Sequence, residues 1–216
     1  QILKTNDDNI SKLGAIELNG AYRDSRMVNN TLYVISEKWE TNRIEESNWK
    51  FLYSTQIESF DLANPETPIK INEQIVAGSP QIISANNSNI MVVTRDPSDY
   101  YNKHVVRVYD ITHNNGMPRL ISKFKPGGRV LDKFKLRIRN GILTVISQAY
   151  REKSWSNRYS LLENFDLQTG QILGSLEWLN GYQVYDVQFL PGIARPEFPN
   201  GSVKQNGINH FLRFLG

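Results

Sequence analysis

The sequence predicts an all-β fold of the β-propeller type, and three observations support this. A short hydrophobic strand with a turn ahead of it occurs three times, and a strand ending in aromatic-Asp-aliphatic follows each copy. Helical periodicity is weak everywhere; it is strongest in 154–163, where an extended hairpin fits better. The copies start 58 and 53 residues apart, and four strands in a unit of this length are typical of a propeller blade.

The repeated unit is clearest in Arg23–Ser36, where a short strand, an Asn-rich turn and a second strand follow one another. Asn and Gly tolerate the positive φ angles that tight hairpin turns require. The turns are Asn29-Asn30, Asn86–Asn89 and Asn140-Gly141, and the second strands are Leu32–Ser36, Ile90–Thr94 and Leu143–Ser147.

A third and a fourth strand complete each unit. The third strand mixes apolar and polar residues on both faces, a pattern that suits a strand covered on both sides. A turn separates it from another apolar strand. The third strands are Ile57–Leu62, Val106–Ile111 and Leu162–Leu167, and the fourth strands are Ile69–Ile75, Arg119–Phe124 and Gln171–Leu176.

The ends of the chain are predicted to hold parts of further blades. Leu13–Leu18 resembles Leu173–Leu179, the last strand of a unit, and Val184–Phe189 would begin another unit. We therefore divide the chain into an N-terminal extension (1–12), propeller blades (13–190) and an irregular C-terminal tail (191–216). Propellers close with about four to eight blades. About three complete blades and two part-blades should leave the ring incomplete, to be completed by missing chain or a second subunit.

Long inserts separate the second and third strands of each blade, at Glu37–Ser54, Arg95–His104 and Gln148–Ser160. Equivalent positions in successive blades should project from the same part of the ring. We expect these inserts to be loops whose aromatic side chains contact a partner, since exposed aromatic clusters mark interfaces; packing in the core or between blades is the alternative. The candidate residues are Trp39, Trp49, Tyr100, Tyr101 and Trp155.

A second set of candidates lies on the first, innermost strands. Asp24 and Arg26 could contact a ligand or ion near the channel, or instead form an Arg–Asp pair that braces adjacent blades. In the third blade Lys133, Lys135 and Arg137 alternate with apolar residues, which predicts a row of cations on one strand face. That row could bind phosphates, lipid headgroups or acidic glycans, or be a solvated face balanced by acidic neighbours.

Composition narrows the function classes. The chain has no cysteine, which excludes disulfides and thiolate metal sites. Its three histidines lack metal-ligand spacing, so we expect neither a metal nor another cofactor. The net charge of +3 is spread along the chain and is weak evidence for nucleic acid. No apolar run reaches the roughly 18 residues of a transmembrane segment. Sequence motifs of common enzymes are missing, which lowers the probability of catalysis without removing it.

Several segments resemble a known family. Asp24–Val28 leading into Leu32–Val34, then Pro126–Phe134, Asn140–Ser147 and Leu173–Phe189 resemble, in order and spacing, bacterial and archaeal secreted proteins with a C-terminal β-propeller domain. The resemblance covers about 13–189; the tail departs from the family pattern, and the family has further blades before this stretch.

This resemblance implies a secreted or cell-envelope location and transfers no catalytic residues. We expect a non-catalytic binding or scaffolding module for a protein or glycan partner. The alternative is a polysaccharide hydrolase or lyase with paired carboxylates at the channel mouth.

Overall fold

The computed structural model describes residues 1–6, 9–45, 48–98, 103–113, 116–150 and 158–179. Within these ranges the chain is all-β, as predicted, and the longest helical element is a single 3-10 turn, Lys133–Lys135. The strands are β1 (Ile2–Asn6), β2 (Asn9–Gly14), β3 (Ala21–Val28), β4 (Thr31–Glu45), β5 (Asn48–Asp61), β6 (Ile69–Ala77), β7 (Pro80–Ala85), β8 (Asn89–Arg95), β9 (His104–Asp110), β10 (Arg119–Phe124), β11 (Leu136–Arg139), β12 (Ile142–Tyr150), β13 (Arg158–Asp166) and β14 (Ile172–Leu179).

Three four-stranded sheets confirm the predicted repeat. Their strand orders are β3-β4-β5-β6, β7-β8-β9-β10 and β11-β12-β13-β14, so every strand lies beside its sequence neighbour as in a propeller blade. The predicted turns also form: Asn29 has a φ of 51° and Asn140 a φ of 50°. The chain is thus a propeller-like series of meander sheets.

The N-terminal part-blade is a correction. Leu13–Leu18 does not form a strand of a blade: β2 ends at Gly14, and residues 15–18 have no regular secondary structure. β2 pairs with β1 in a separate two-stranded sheet, because the polar extension supplies a hairpin partner of its own. The second predicted part-blade, Val184–Phe189, lies outside the described residues.

The aromatic-Asp-aliphatic motif has a structural role in each sheet. The carboxylate accepts a hydrogen bond from the backbone N–H two residues later, which forms an Asx turn. The backbone N–H of the aliphatic residue donates to a backbone carbonyl of the hairpin turn that precedes the second strand. This bond ties the end of the third strand to that turn. The carboxylate bonds are Ala63 to Asp61 (2.8 Å), Thr112 to Asp110 (2.9 Å) and Gln168 to Asp166 (2.9 Å). The N–H bonds are Leu62 to Asn30 (2.7 Å), Ile111 to Ser88 (3.0 Å) and Leu167 to Gly141 (2.9 Å).

A glycine ahead of each first strand makes a close contact with the same point of the second strand. A Cβ atom at Gly78 would lie 2.1 Å from the carbonyl oxygen of Arg95, a distance that real Cβ atoms do not show. The same contact recurs in the other two sheets, so all three sheets start in the same way. The equivalent distances are 2.6 Å from Gly20 to the Glu37 oxygen and 2.3 Å from Gly128 to the Gln148 oxygen.

The chain divides into two compact units. The first contains Gln1–Pro97 and Arg107–Leu120, and the second contains Ser98–Val106 and the chain from Ile121 onward. In the second unit, the rings of Phe124 and Phe165 pack with centroids 4.9 Å apart. In the first unit, side chains from β4, β5, β7, β8 and the end of β9 form one buried apolar cluster. Its members are Tyr33, Ile35, Ile57, Ile83, Ile90, Val92, Tyr109 and Ile111.

The insert Glu37–Ser54 was predicted to be a loop, and this is wrong. Its residues extend β4 to 15 residues and β5 to 14, forming a long hairpin. The insert is rich in aromatic residues, which favour strands. Support from the outer strands ends at the pairs Ala21–Glu37 and Ser54–Ala77, so the hairpin is two-stranded beyond them.

The cationic row predicted on the first strand of the third sheet is also corrected. Lys133 and Lys135 lie on the 3-10 turn, which is capped by Asp132: the Phe134 N–H donates to the Asp132 carboxylate at 2.8 Å. The strand begins only at Leu136. At the equivalent point the first strands of the first two sheets have a bulge of one extra residue. The third sheet has three residues more than that between its start and β11. Arg137 and Arg139 remain on one exposed face of β11.

Candidate functional site

An open cleft of about 1160 Å³ lies in the first unit, where β3 and β7 begin. Two β-bulges shape its lining. Tyr22 pairs with Ser36 and Asp24 with Ile35, which leaves Arg23 as an extra residue. In the same way Gln81 is the extra residue of β7. A bulge re-aims side chains, and both extra residues line the cleft.

Glu37 is the charged centre of the cleft. It is 7% exposed, and its two carboxylate oxygens accept hydrogen bonds from different donors: Oε1 from Ser79 Oγ and Oε2 from Arg23 Nη2. Burial alone would raise the pKa of this carboxyl. The two hydrogen bonds and the positive charges of Arg23 and Arg95 outweigh burial and hold the pKa below its usual value. Glu37 is therefore ionised at neutral pH.

Arg95 differs from Arg23 in its partners. The Arg95 backbone N–H donates to the Ser79 carbonyl at 2.9 Å, while the exposed guanidinium acts on Glu37 only through its charge. No hydrogen bond joins this guanidinium to any residue in the described part of the chain. Arg23, in contrast, is committed to Glu37. The cleft thus presents one arginine that can take an external acceptor.

Aromatic side chains continue the cleft along the hairpin. Tyr53 lines the cleft and is 48% exposed. Its cross-strand partner is Trp39, which is 60% exposed. Because side chains alternate along a strand, Trp39 lies on the same face as Glu37. A half-exposed aromatic pair therefore stands beside a charged floor, and this combination can bind a ligand that has both an apolar face and polar groups.

Asp24 and Arg26 form an ion pair with 2.8 Å between Nη1 and Oδ1. The second carboxylate oxygen of Asp24 accepts a hydrogen bond from the Ile83 N–H at 3.4 Å, so the pair joins β3 to β7. Both residues thus make the bracing contact that the sequence offered as the alternative to ligand binding. A binding role for them remains a prediction.

The other sequence candidates that the structure describes are absent from the described lining of the cleft. Lys133 lies 5.3 Å from the ring of Phe134, which is 77% exposed on the 3-10 turn, and Lys135 and Arg137 come after it. Trp49 lies on β5, opposite Arg43 in register. Tyr100, Tyr101 and Trp155 lie outside the described residues. Of the five aromatic residues predicted to contact a partner, Trp39 is the one whose side chain is described, and it is exposed.

Sequence reasoning missed Glu37, Arg95 and Arg23 as site residues. A signal for two of them exists: Glu37 and Arg95 each follow the buried hydroxyl residue that ends a repeated second strand, Ser36 and Thr94. This repeat position is also the one whose carbonyl oxygen lies against the glycine ahead of the first strand. Arg23 has no such signal, because a bulge cannot be recognised from the composition of β3.

Neither a metal centre nor a membrane-spanning helix is found in the described ranges. Among these residues, no group of three or more His, Cys, Asp or Glu side chains is arranged to hold a metal ion. No helix in the same ranges is long and apolar enough to cross a membrane.

Comparison with known proteins adds little. No protein-family model matches the sequence, and no curated protein matches it. Among solved structures, the chain is similar to Pyrococcus horikoshii acylaminoacyl peptidase, with 11% sequence identity over 74% of this chain and a TM-score of 0.45. The similar part is 25% of the peptidase chain.

Proposed function

We propose that this protein is a non-catalytic binding module of a secreted or envelope β-propeller protein, and that it binds a glycan at the cleft and the adjoining hairpin. The observation that carries the proposal is the exposed pair Trp39 and Tyr53, which lies on the same hairpin face as Glu37. Aromatic rings offer an apolar face for a sugar ring, and the polar floor offers partners for its hydroxyl groups.

A glycan fits this surface better than a folded protein does. An open cleft of about 1160 Å³ admits a chain of sugar units, whereas protein interfaces are centred on a desolvated apolar core with a polar rim. In this cleft the buried centre is the ionised Glu37, and the aromatic pair lies to one side. A protein partner is retained as an outcome of the test.

The alternative function, a polysaccharide hydrolase or lyase, needs two carboxyl groups, one with a raised pKa that can act as a general acid. Among the described lining residues Glu37 is the single carboxylate. Both of its oxygens already accept hydrogen bonds, and its pKa is lowered. These features favour binding over acid catalysis at this site.

The test is binding of the full chain to an array of glycans, with solution affinities measured by calorimetry for those that bind. Trp39→Ala and Tyr53→Ala should each weaken binding by about tenfold, because each removes a stacking face. Tyr22→Ala is the matched control, since Tyr22 is 58% exposed and does not line the cleft. Binding to no glycan, or equal loss in all three variants, would contradict the proposal.

The secreted or envelope location is supported by the family resemblance alone. The idea that other chain or a second subunit supplies further blades is supported by the blade count, since propellers close with about four to eight blades. Fractionation of the source cells by compartment tests the location. Light scattering on the purified chain tests the partnership: a monomer at all concentrations would rule out pairing with a second copy.

A further inference from the structure

We infer that the cleft selects glycans that carry uronic-acid carboxylates, and that Arg95 is the residue that binds the carboxylate. This inference deepens the binding function proposed above and rests on it. The charges, the hydrogen-bonding groups and the aromatic wall of the described lining together determine which sugars can enter the cleft and which side chain distinguishes them.

The charge of the lining favours a ligand with single negative charges. Arg23 is paired with Glu37, so the two side chains neutralise each other. Among the described lining residues, Arg95 is left as one cation in excess, and it is exposed to solvent. A guanidinium binds a carboxylate through two parallel hydrogen bonds. A phosphate monoester could use the same group, but it carries about −1.5 to −2 charges at neutral pH, which a single arginine does not balance.

The floor of the cleft has acceptors for sugar hydroxyl groups. Glu37 is ionised, and each of its oxygens has lone pairs beyond the one used by Ser79 or Arg23. The Gln81 amide N–H groups are directed at the Ser79 and Pro80 carbonyls, which leaves the amide oxygen as an acceptor. Sugar hydroxyls donate to such oxygens, whereas a simple inorganic anion cannot use them.

The wall of the cleft suits a pyranose ring. Tyr53 is half-exposed in the lining, and Trp39 extends the aromatic surface along the hairpin. A ligand that stacks on Tyr53 has its polar edge near the charged floor, where Glu37 and Arg95 interact through their charges. A uronic acid offers all three features together: a ring face, hydroxyl donors and one carboxylate for each unit.

The experiment compares acidic and neutral forms of the same glycan by calorimetry on the full chain. The probes are trigalacturonate, triguluronate and a hyaluronan tetrasaccharide, each measured beside its carboxyl-reduced form. At least one acidic form should bind about tenfold or more tightly than its reduced form, since hydrogen bonds between charged groups are the stronger ones. Raising the salt concentration should weaken the binding of the acidic form and leave the binding of the reduced form unchanged.

Variants identify the residue responsible. Arg95→Gln should abolish the preference for the acidic form, and Arg95→Lys should restore part of that preference, because lysine keeps the charge without the paired hydrogen bonds. Arg139→Gln is the control with the same change of charge on exposed β11. Arg95 is exposed, so its variants should fold, and circular dichroism checks this.

The outcomes separate the two proposals. If acidic and reduced glycans bind equally, the selectivity for uronic acids is wrong. If Arg95→Gln keeps the preference, the assignment of carboxylate binding to Arg95 is wrong. In both cases the glycan-binding function stands. If no glycan binds in either form, both fail. Binding of an acidic protein in place of any glycan would also overturn both.

Discussion

Gly78 shows how a single residue fixes the start of a sheet. Its φ of 100° lies in the left-handed region that side chains avoid, and a Cβ atom there would lie 2.1 Å from the Arg95 carbonyl oxygen. That carbonyl belongs to the residue whose guanidinium lines the cleft. The backbone contact therefore also positions the candidate ligand-binding residue.

Replacing this glycine should destabilise the protein strongly. For Gly78→Ala we expect a loss of more than about 3 kcal/mol in the free energy of unfolding, since both the φ angle and the contact become unfavourable. Gly141→Ala should cost only about 1 kcal/mol, because the φ of 73° is its single obstacle: nothing lies within 4 Å of its added Cβ. Gly174→Ala, with open space and no positive φ, should be neutral or slightly stabilising. Urea denaturation measures all three, and equal losses would contradict the close-contact argument.

Glu163 is a buried carboxyl whose ionisation opposes folding. Burial raises its pKa, although the Gly127 N–H, which donates at 2.8 Å, and the charge of Lys103 act in the opposite direction. The folded state therefore holds the proton more tightly than the unfolded state. Stability should fall as pH rises from about 4.3, the unfolded value, through the raised value of the folded protein.

Glu163→Gln tests this directly. The amide oxygen can still accept the Gly127 hydrogen bond, and the charge is gone, so the variant should melt at a higher temperature than the natural protein at pH 7. The difference should shrink towards pH 4, where the natural carboxyl is protonated in both states. Glu66→Gln on the exposed surface should show neither effect. A Glu163→Gln variant that is less stable at pH 7 would mean that the ionised carboxylate helps folding.

At the scale of elements, the long β4–β5 hairpin separates a structural part from a binding part. Up to the pairs Ala21–Glu37 and Ser54–Ala77 the hairpin is flanked by β3 and β6. Beyond them it has no flanking strand in the described part of the chain, and an isolated two-stranded ribbon adds little stability. The outer half therefore suits contact with a ligand.

Shortening the hairpin should remove binding and leave the fold. Replacing residues 39–53 with Asn-Gly joins the paired residues Lys38 and Ser54 by a two-residue turn of the favoured type. We expect the melting temperature to change by no more than about 4 °C, equivalent to about 1 kcal/mol for a domain of this size, and glycan binding to be lost. Scanning calorimetry and glycan titration measure the two effects. A large loss of stability would mean that the hairpin is part of the core.

Most strands could be predicted from sequence because the same strand pattern occurs three times in the chain. The turns at Asn29 and Asn140 and the Asp61, Asp110 and Asp166 motifs carry local signals with a physical cause. The hairpin and the cleft could not be predicted in the same way. The composition of the hairpin residues is equally compatible with an aromatic loop. Arg23 and Gln81 line the cleft because they are the extra residues of bulges, and the position of a bulge depends on strand register.

At the scale of the whole molecule, several carboxylates favour folding at neutral pH. Hydrogen bonds from Thr112 are the main cause of the lowered pKa of Asp110, and His113 and Arg119 add to it. The pKa of Asp166 is lowered by hydrogen bonds from Thr169, and that of Glu73 by its hydrogen bond from Lys70. With Glu37, these groups stabilise the fold above their unfolded pKa values.

The protein should therefore lose stability as pH falls below about 4, since the carboxylates must be protonated against their native partners. Glu163, whose pKa is raised, has the opposite effect on stability, but it is one carboxyl against the four whose pKa values are lowered. Asp110→Asn should lower stability at pH 7 and flatten the profile between pH 4 and pH 2. Chemical denaturation at a series of pH values measures both. A profile that is unchanged by the substitution would exclude Asp110 as a contributor.

The 3-10 turn ahead of β11 has a practical consequence. At this point the first strands of the first two sheets each have one extra residue, and the third sheet has three residues more than they do. β11 nevertheless pairs regularly with β12, starting with Leu136 opposite Val145. This joint accepts added length without disturbing the strand after it. Foreign peptides grafted between Lys133 and Lys135, or in place of Gln81, should be displayed on a folded carrier, and proteolysis confined to the graft would show it.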